Sequence, residues 1–472
     1  MIQVPPVIFR GYDLRGLVDK ELTDETVATL AKGYATWLLQ RRIYDCVVGY
    51  DCRLSSPRFS KIIIQELTEA GINVYDIGMT LSQISYFAQY YFRSKGLIMI
   101  TASHNPKEYN GMKLGVGFSE TMITEEIIGF RDLVNSGTFQ TRKGKGKHVV
   151  EDVFPAYLED LKRRTGEIKH FKIVVDSCAA TTGIFLPKIL REFGCEVIEQ
   201  NTKPDGNFPV GTPDPTENDV QQRLAKRVRE EGADIGFSYD ADGDRLGVVD
   251  NEGNLLWNDT LVSLFAKDVL DFLPGSKIVY NTLCSKQADE VIRAAGGEPV
   301  IWMTGHSFIK AKVREIRSPF GGELSGHFFF TDNFYGHDDG AIASLRLLSY
   351  LTRKNLSLKQ AVAELPVYVS SPEIKVGAPD AIKFSLVTDK IGGELKNMYK
   401  GARFLEIDGV RVDMEDSMIV IRASQNGPYL TIKFEAKDKE KYEILRVQIG
   451  TLLKKFPEVD FGYGVNVDAL YK

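Results

Sequence analysis

One pattern occurs three times along the chain and limits what it can fold into: a strand, a loop, an amphipathic helix closed by glycine, and a second strand. The first copy has a strand at 45–51, a helix near 57–70, Gly71 and a strand at 72–77. The second has a strand at 172–176, a helix near 183–193, Gly194 and a strand at 195–199. The third has a strand at 277–281, a helix near 286–295, Gly296 and a strand at 298–303. Glycine just past a helix supplies the left-handed cap that ends it. Strands alternating with helices of this length make parallel βαβ units. Copies roughly 100 to 130 residues apart, about one domain length each, predict three related α/β domains.

After Leu365 the pattern changes. A helix over 383–399 is followed by short strands at 402–407, 410–414, 417–423 and 429–436, with Asp408-Gly409 as the hairpin turn between the first two. A helix over 439–454 closes this α+β segment. The expected fold is α/β with four domains, at 1–150, 151–252, 253–366 and 367–472. A chain of 472 residues is too long for one hydrophobic core, which agrees with several domains.

Charge and cysteine use exclude several function classes. The formal net charge is −5, and the densest basic stretch, Arg142 to Lys147, is short and Gly-rich. A nucleic-acid partner needs a concentrated cationic face, so none is expected. No apolar run is long enough to cross a bilayer, and the N-terminus does not read as a signal peptide. The five cysteines are odd in number, widely spaced and without a CxxC pair. They predict neither a disulfide framework nor a zinc site, and a reducing cytoplasm is expected. Monomer and homo-oligomer both stay open.

Five segments carry the polar chemistry. Thr101-Ala102-Ser103-His104-Asn105-Pro106 follows an apolar strand at 96–100, where α/β folds place active sites. His104 can orient a phosphate beside Ser103, although turn-forming residues alone would also explain the segment. Asp240-Ala241-Asp242-Gly243-Asp244-Arg245 lies between strands at 233–239 and 246–250. Its three carboxylates can converge on one cation, and oxygen-only ligands suit Mg²⁺. A solvated turn is the alternative. An EF-hand fails, because the sixth position is Arg245 rather than glycine and the twelfth is Asn251 rather than glutamate. In Gly321-Gly322-Glu323-Leu324-Ser325-Gly326-His327, Glu323 and Ser325 can bind sugar hydroxyls, or the segment is a hairpin turn. Arg422-Ala423-Ser424-Gln425-Asn426-Gly427-Pro428 offers a fork-shaped donor and side-chain donors that suit a phosphate dianion, and equally a polar turn. Phe9-Arg10-Gly11-Tyr12-Asp13-Leu14-Arg15-Gly16 brings two arginines and Tyr12, with Arg10 expected to pair with Asp13 and Arg15 to face a phosphate.

Together these segments resemble the α-D-phosphohexomutase superfamily, and among its members the bacterial and archaeal phosphomannomutase/phosphoglucomutases. The resemblance runs from Phe9 to beyond Arg422, with the motifs in the family's order. It implies four domains around a central cleft and a phosphoserine at Ser103. It implies one Mg²⁺ per chain on Asp240, Asp242 and Asp244, with the Ser103 phosphate as a further ligand and Arg245 beside the site. Lys113 would be the general acid/base, and His327 and Arg15 would lie near the reacting oxygen. The sugar would be held by Glu323, Ser325 and the loop at Gly305 and His306, with Tyr12 also on the substrate. Arg422, Ser424, Gln425 and Asn426 would hold the non-reacting phosphate. Two departures from the family stand out: Gln425 and Asn426 replace Asn and Thr, and Leu283 replaces a substrate lysine, with Lys286 nearby and Lys286 or Lys310 as the candidates to substitute for it.

The implied activity interconverts hexose 1-phosphate and 6-phosphate, of mannose and/or glucose, with a hexose 1,6-bisphosphate as intermediate and activator. Phosphoglucosamine mutase is the nearest alternative. A haloacid-dehalogenase-type phosphatase with Asp240 as nucleophile is a rival, but Asp244 stands where that pattern needs threonine. A non-catalytic phosphosugar-binding protein is the other.

Overall fold

The computed structural model describes residues 3–425 and 427–471. The chain packs into two compact units, residues 1–258 with 313–320 and 325–363, and residues 259–312 with 321–324 and 364–472.

The first unit holds two mixed sheets. In the seven-stranded one, Asp45–Tyr50 pairs in parallel with Asn73–Met79 on one side and Gly96–Ile100 on the other. Gly96–Ile100 is buried along its whole length, as expected for a strand covered on both faces. Ile98 and Ile100 join Val48, Leu30, Tyr34, Phe59, Ile63 and Phe130 in one core. Each such side chain contributes roughly 1.5–3 kcal/mol by leaving water.

Tyr109–Gly117 runs antiparallel to both Gly96–Ile100 and Leu14–Leu17. Gly111 makes this crowded register possible, because a Cβ there would lie 2.1 Å from the Leu14 carbonyl oxygen. The register sets Lys113 opposite Met99 and Gly111 opposite Arg15. The second sheet has five strands, with Lys172–Asp176 parallel to Glu196–Gln200 and to Ile235–Tyr239. Ile235–Tyr239 then turns back antiparallel into Leu246–Asp250, and the 240–245 loop is the turn between them.

In the second unit, Lys277–Asn281 and Glu298–Trp302 form the third parallel pair. The strand–helix–strand order expected for all three repeats is therefore present, with helices Ser56–Glu69, Thr182–Glu192 and Lys286–Ala294. The C-terminal part is a seven-stranded sheet. Asp408-Gly409 joins Arg403–Leu405 to Val410–Asp413 as expected. Gly409 is required there: its φ is +75° and a Cβ would lie 2.4 Å from the Ile421 carbonyl oxygen.

Two features differ from expectation. The helix over 383–399 is not uniform, since Leu386–Ile391 is a π-helical stretch between Lys383–Ser385 and Gly392–Met398. The wider turn brings Leu386, Val387, Ile391 and Leu395 all into the core. A further strand, Asp460–Val465, pairs with Ile374–Gly377 at the sheet edge. All five cysteines are buried and unpaired, and no helix among the described residues is long and apolar enough to cross a membrane.

Candidate functional site

Ser103 sits just past Gly96–Ile100 with φ +48°. A left-handed residue other than glycine costs about 1–2 kcal/mol, so the surroundings must hold it. They do. Its N–H donates to Thr101 Oγ1 at 2.8 Å, and Asn105 N–H donates to the Ala102 carbonyl at 3.0 Å. Arg53 Nη2 donates to the Ser103 carbonyl at 2.7 Å and to that of Asn105 at 2.6 Å. Charge-assisted bonds of this kind are worth about 1.5–3 kcal/mol each, enough to outweigh the local strain. The Ser103 hydroxyl donates to Asp240 Oδ2 at 2.6 Å, and His104 Nδ1 lies 3.2 Å from the same Oγ.

Asp240, Asp242 and Asp244 converge behind Ser103, with a carboxylate oxygen of each within 4.8 Å of the others and all three buried. Gly243 and Arg245 N–H groups both donate to Asp240 Oδ1, which turns the loop back on itself. Burial and then the neighbouring Asp244 and Asp242 push the Asp240 carboxyl well above the usual range. Asp242 is also raised by burial, but Lys113 and Ser82 outweigh this and hold it below its usual value. Lys113 Nζ donates to Asp242 Oδ2 at 2.7 Å, to Ser82 Oγ at 2.9 Å and to Asp244 Oδ2. Burial opposes the Lys113 charge, yet Asp242 and Asp244 win and keep the ammonium protonated.

This donor set fits a hard divalent cation. Three buried carboxylates offer oxygen alone, and Asp242 Oδ1 and Asp244 Oδ1 are buried without a hydrogen-bond partner among the described residues. Asp244, His327 and Asp338 form a second close group. There His327 Nδ1 faces Asp338 Oδ2 at 3.0 Å, and its Nε2 accepts from Arg245 Nε at 3.1 Å.

Arg245 also reaches Asp214 Oδ2 at 3.3 Å, and its charge is favoured by Asp214 and Asp240 despite burial. Arg15 donates to Asp13 Oδ2 at 2.7 Å and to Asn105 Oδ1 at 2.6 Å. Asp13 thus pairs with Arg15, not with Arg10 as the sequence suggested; Arg10 gives only its backbone N–H, to the Asp13 carbonyl. Tyr12 is buried and close enough to act electrostatically on both Arg15 and Arg245. Ser325 is half-buried in the same unit. The first unit therefore gathers Tyr12, Arg15, Ser103, His104, Lys113, the three aspartates, Arg245 and His327.

The second unit carries the remaining candidates. Gly305, with φ +136°, donates its N–H to Glu323 Oε1 at 2.7 Å, and His306 begins the helix His306–Glu315. Arg422 Nε donates to Asp408 Oδ2 at 2.8 Å, and the same oxygen accepts from Thr304 N–H at 2.9 Å and from the Thr282 hydroxyl at 3.2 Å. Asp408 thus ties the Thr304-Gly305 loop to the end of the strand Ser417–Ala423. Ser424 N–H donates to the Tyr429 carbonyl at 3.0 Å, and Gln425 follows it. Asn426 lies outside the described residues.

Sequence reasoning missed Arg53, Asp214, Asp338 and Asp408. Asp51-Cys52-Arg53 directly after the buried strand Asp45–Tyr50 was the available signal for the first. Asp408 was read only as a turn former.

Known proteins resemble the chain over nearly its whole length. Models of the phosphoglucomutase/phosphomannomutase family match three consecutive stretches: alpha/beta/alpha domain I over residues 6–139, domain II over 155–253 and domain III over 257–368. A phosphomannomutase/phosphoglucomutase of Pseudomonas aeruginosa is 35% identical over 455 residues, covering 96% of each chain. A phosphoglucomutase of Neisseria gonorrhoeae is 32% identical over 460 residues, covering 97% of this chain and 99% of the relative. The crystal structure of a phosphoglucomutase/phosphomannomutase family protein from Burkholderia thailandensis is similar with a TM-score of 0.88 at 32% identity, covering 96% of this chain and 98% of that one.

Proposed function

The chain belongs to the phosphoglucomutase/phosphomannomutase family and is a phosphohexomutase, and we propose that it moves a phosphoryl group between O1 and O6 of mannose and/or glucose phosphates through a phosphoserine at Ser103. The observation that carries this reading is the 2.6 Å contact between Ser103 Oγ and Asp240 Oδ2, which joins two polar motifs 137 residues apart.

The phosphoserine donates to the free hydroxyl of the substrate. The Oγ–P bond breaks as the sugar O–P bond forms; the sugar hydroxyl loses a proton and Ser103 Oγ regains one. The product, a hexose 1,6-bisphosphate, reverses its orientation, and its other phosphate returns to Ser103. Catalysis here is alignment and charge stabilisation. Asp240, which holds the Ser103 hydroxyl, aligns Oγ for the return step. Lys113, kept protonated by Asp242 and Asp244, supplies a proton to the departing oxygen and then takes the proton that the attacking hydroxyl gives up. Arg15, Arg245 and His327 surround the transferring group, and His104 orients it. Asp240, Asp242 and Asp244 would hold one Mg²⁺, which when bound neutralises charge on that group.

Glu323, Ser325, Gly305, His306 and Tyr12 would bind the sugar, and Arg422, Ser424 and Gln425 the phosphate that does not react. Arg422 suits that role because a guanidinium fork matches a phosphate dianion. The same reading puts the enzyme in the cytoplasm, with a hexose 1,6-bisphosphate as activator and domain boundaries near 150, 252 and 366.

Phosphorus NMR tests it. The protein, Mg²⁺ and a trace of glucose 1,6-bisphosphate are mixed separately with glucose, mannose and glucosamine 1-phosphates. A 6-phosphate signal without inorganic phosphate is expected for glucose, mannose or both. Inorganic phosphate alone would contradict the reading and favour hydrolysis at Asp240.

A further inference from the structure

Resting on the reading of Ser103 as the phosphoserine, we propose that Arg53 is a positioning residue for phosphoryl transfer: its guanidinium fixes the backbone of the Ser103 loop and so the direction of Ser103 Oγ. Arg53 is 1% exposed and uses all five of its N–H groups inside the protein. Four go to carbonyl oxygens of the segment 103–109, the Ser103 loop and the first residue of the strand after it. Nη2 serves Ser103 at 2.7 Å and Asn105 at 2.6 Å, and Nη1 serves Pro106 at 2.8 Å and Tyr109 at 3.0 Å. The fifth, on Nε, goes to Asp51 Oδ2 at 3.1 Å.

The guanidinium has one available orientation. Asp51 Oδ1 accepts from Arg53 N–H at 3.0 Å and from the Ser56 hydroxyl at 2.7 Å, which fixes the carboxylate, and the carboxylate fixes Nε. The Phe208 ring lies 4.9 Å from the guanidinium carbon. A planar fork can bridge two pairs of carbonyls at once. An ammonium has three donors at a single point and cannot.

The need for such an anchor follows from the chemistry of the cycle. The bond from Ser103 to Asp240 uses the serine hydroxyl proton. That proton is gone once Oγ carries phosphate, so the side chain loses this tether in half of the cycle. The bonds from Arg53 to the carbonyls do not depend on the state of Oγ. They hold the loop, and the left-handed Ser103 within it, in both halves. Arg53 meets Ser103 only at the backbone and so acts through position.

The test compares the parent with Arg53→Lys and Asp51→Asn by steady-state turnover of glucose 1-phosphate and by quenched transfer of labelled phosphate from glucose 1,6-bisphosphate to Ser103. Folded fraction is measured for each by circular dichroism. For Arg53→Lys the expected result is a kcat and a transfer rate both about 100-fold lower per folded molecule, the scale of a misplacement of about 1 Å, with KM within about twofold. Asp51→Asn, which keeps the volume and leaves Arg53 in place, is expected to lose about tenfold in kcat with KM again unchanged. If Arg53→Lys does not fold, the Asp51→Asn result decides. A loss of activity that only follows the folded fraction, or an unchanged kcat, would overturn the inference while leaving the function reading intact. A parent that neither turns over nor labels Ser103 would overturn both.

Discussion

One buried charge gathers the loop that carries Ser103, another gathers the Thr304 loop and the strand end that carries Arg422, and the two charges have opposite sign. In the first unit a cation, Arg53, collects four backbone carbonyls. In the second an anion, Asp408, collects one backbone N–H, one hydroxyl and one guanidinium on a single oxygen. A clasp on the backbone fixes a loop whatever its side chains do. A clasp that includes the guanidinium of Arg422 instead points a binding group. The difference matches the proposed division of labour: bond-making needs a loop held to a fraction of an ångström, whereas phosphate binding needs a donor aimed and charged.

Ser103→Ala breaks the comparison at its most sensitive point. It should lower turnover at least ~10³-fold without unfolding the protein, because no other group can carry the phosphoryl. Steady-state kinetics and circular dichroism check both parts. Asp242→Asn comes next. It removes charge from the aspartate group and one partner of Lys113, and should cost on the order of 10²-fold in kcat with a matching rise in the Mg²⁺ concentration needed for half activity. A Mg²⁺ titration of the rate measures that.

Asp408→Asn sharpens the contrast. It weakens the hold on Arg422 and the Thr304 loop, and should raise KM for hexose phosphate about tenfold, or about 1.4 kcal/mol, with a smaller change in kcat. A fall in kcat at constant KM would mean that the second clasp is no binding device. The smallest effect concerns closure of both regions. Burial pushes the Cys52 thiol, next to Arg53, up to about 11, and pushes Cys284, beside Arg411, further still. Neither should react with an aromatic disulfide at pH 8 within minutes in the native protein, and all five cysteines should react after denaturation. Mass spectrometry of the labelled peptides would show whether either region opens early.

Much of this was legible in the sequence because it rests on local rules. Gly71, Gly194 and Gly296 end helices with φ between +79° and +88°, which is why three α/β units could be counted. The Ser103, Asp240–Arg245 and Arg422 segments stood out because polar residues cluster there after apolar strands. What stayed hidden depends on partners distant in sequence. Arg53 lies 50 residues from the Ser103 carbonyl it holds, and Asp408 lies 104 residues from Thr304. The strand Tyr109–Gly117, which carries Lys113, was not named in the sequence: glycines at 111, 115 and 117 are poor strand formers, yet they are what lets neighbouring strands and side chains approach. The π-helical stretch was hidden because one extra residue in a turn leaves the hydrophobic spacing almost unchanged.

The central claim is that Ser103 carries the phosphoryl group between the two halves of the reaction. The most direct test is to incubate the parent and Ser103→Ala with Mg²⁺ and glucose 1,6-bisphosphate, and then identify the phosphorylated peptide by mass spectrometry. The account predicts a single phosphoryl group on Ser103 in the parent, lost on adding hexose 6-phosphate, and none in the variant. A phosphoryl group on Asp240, or equal labelling of the variant, would contradict it.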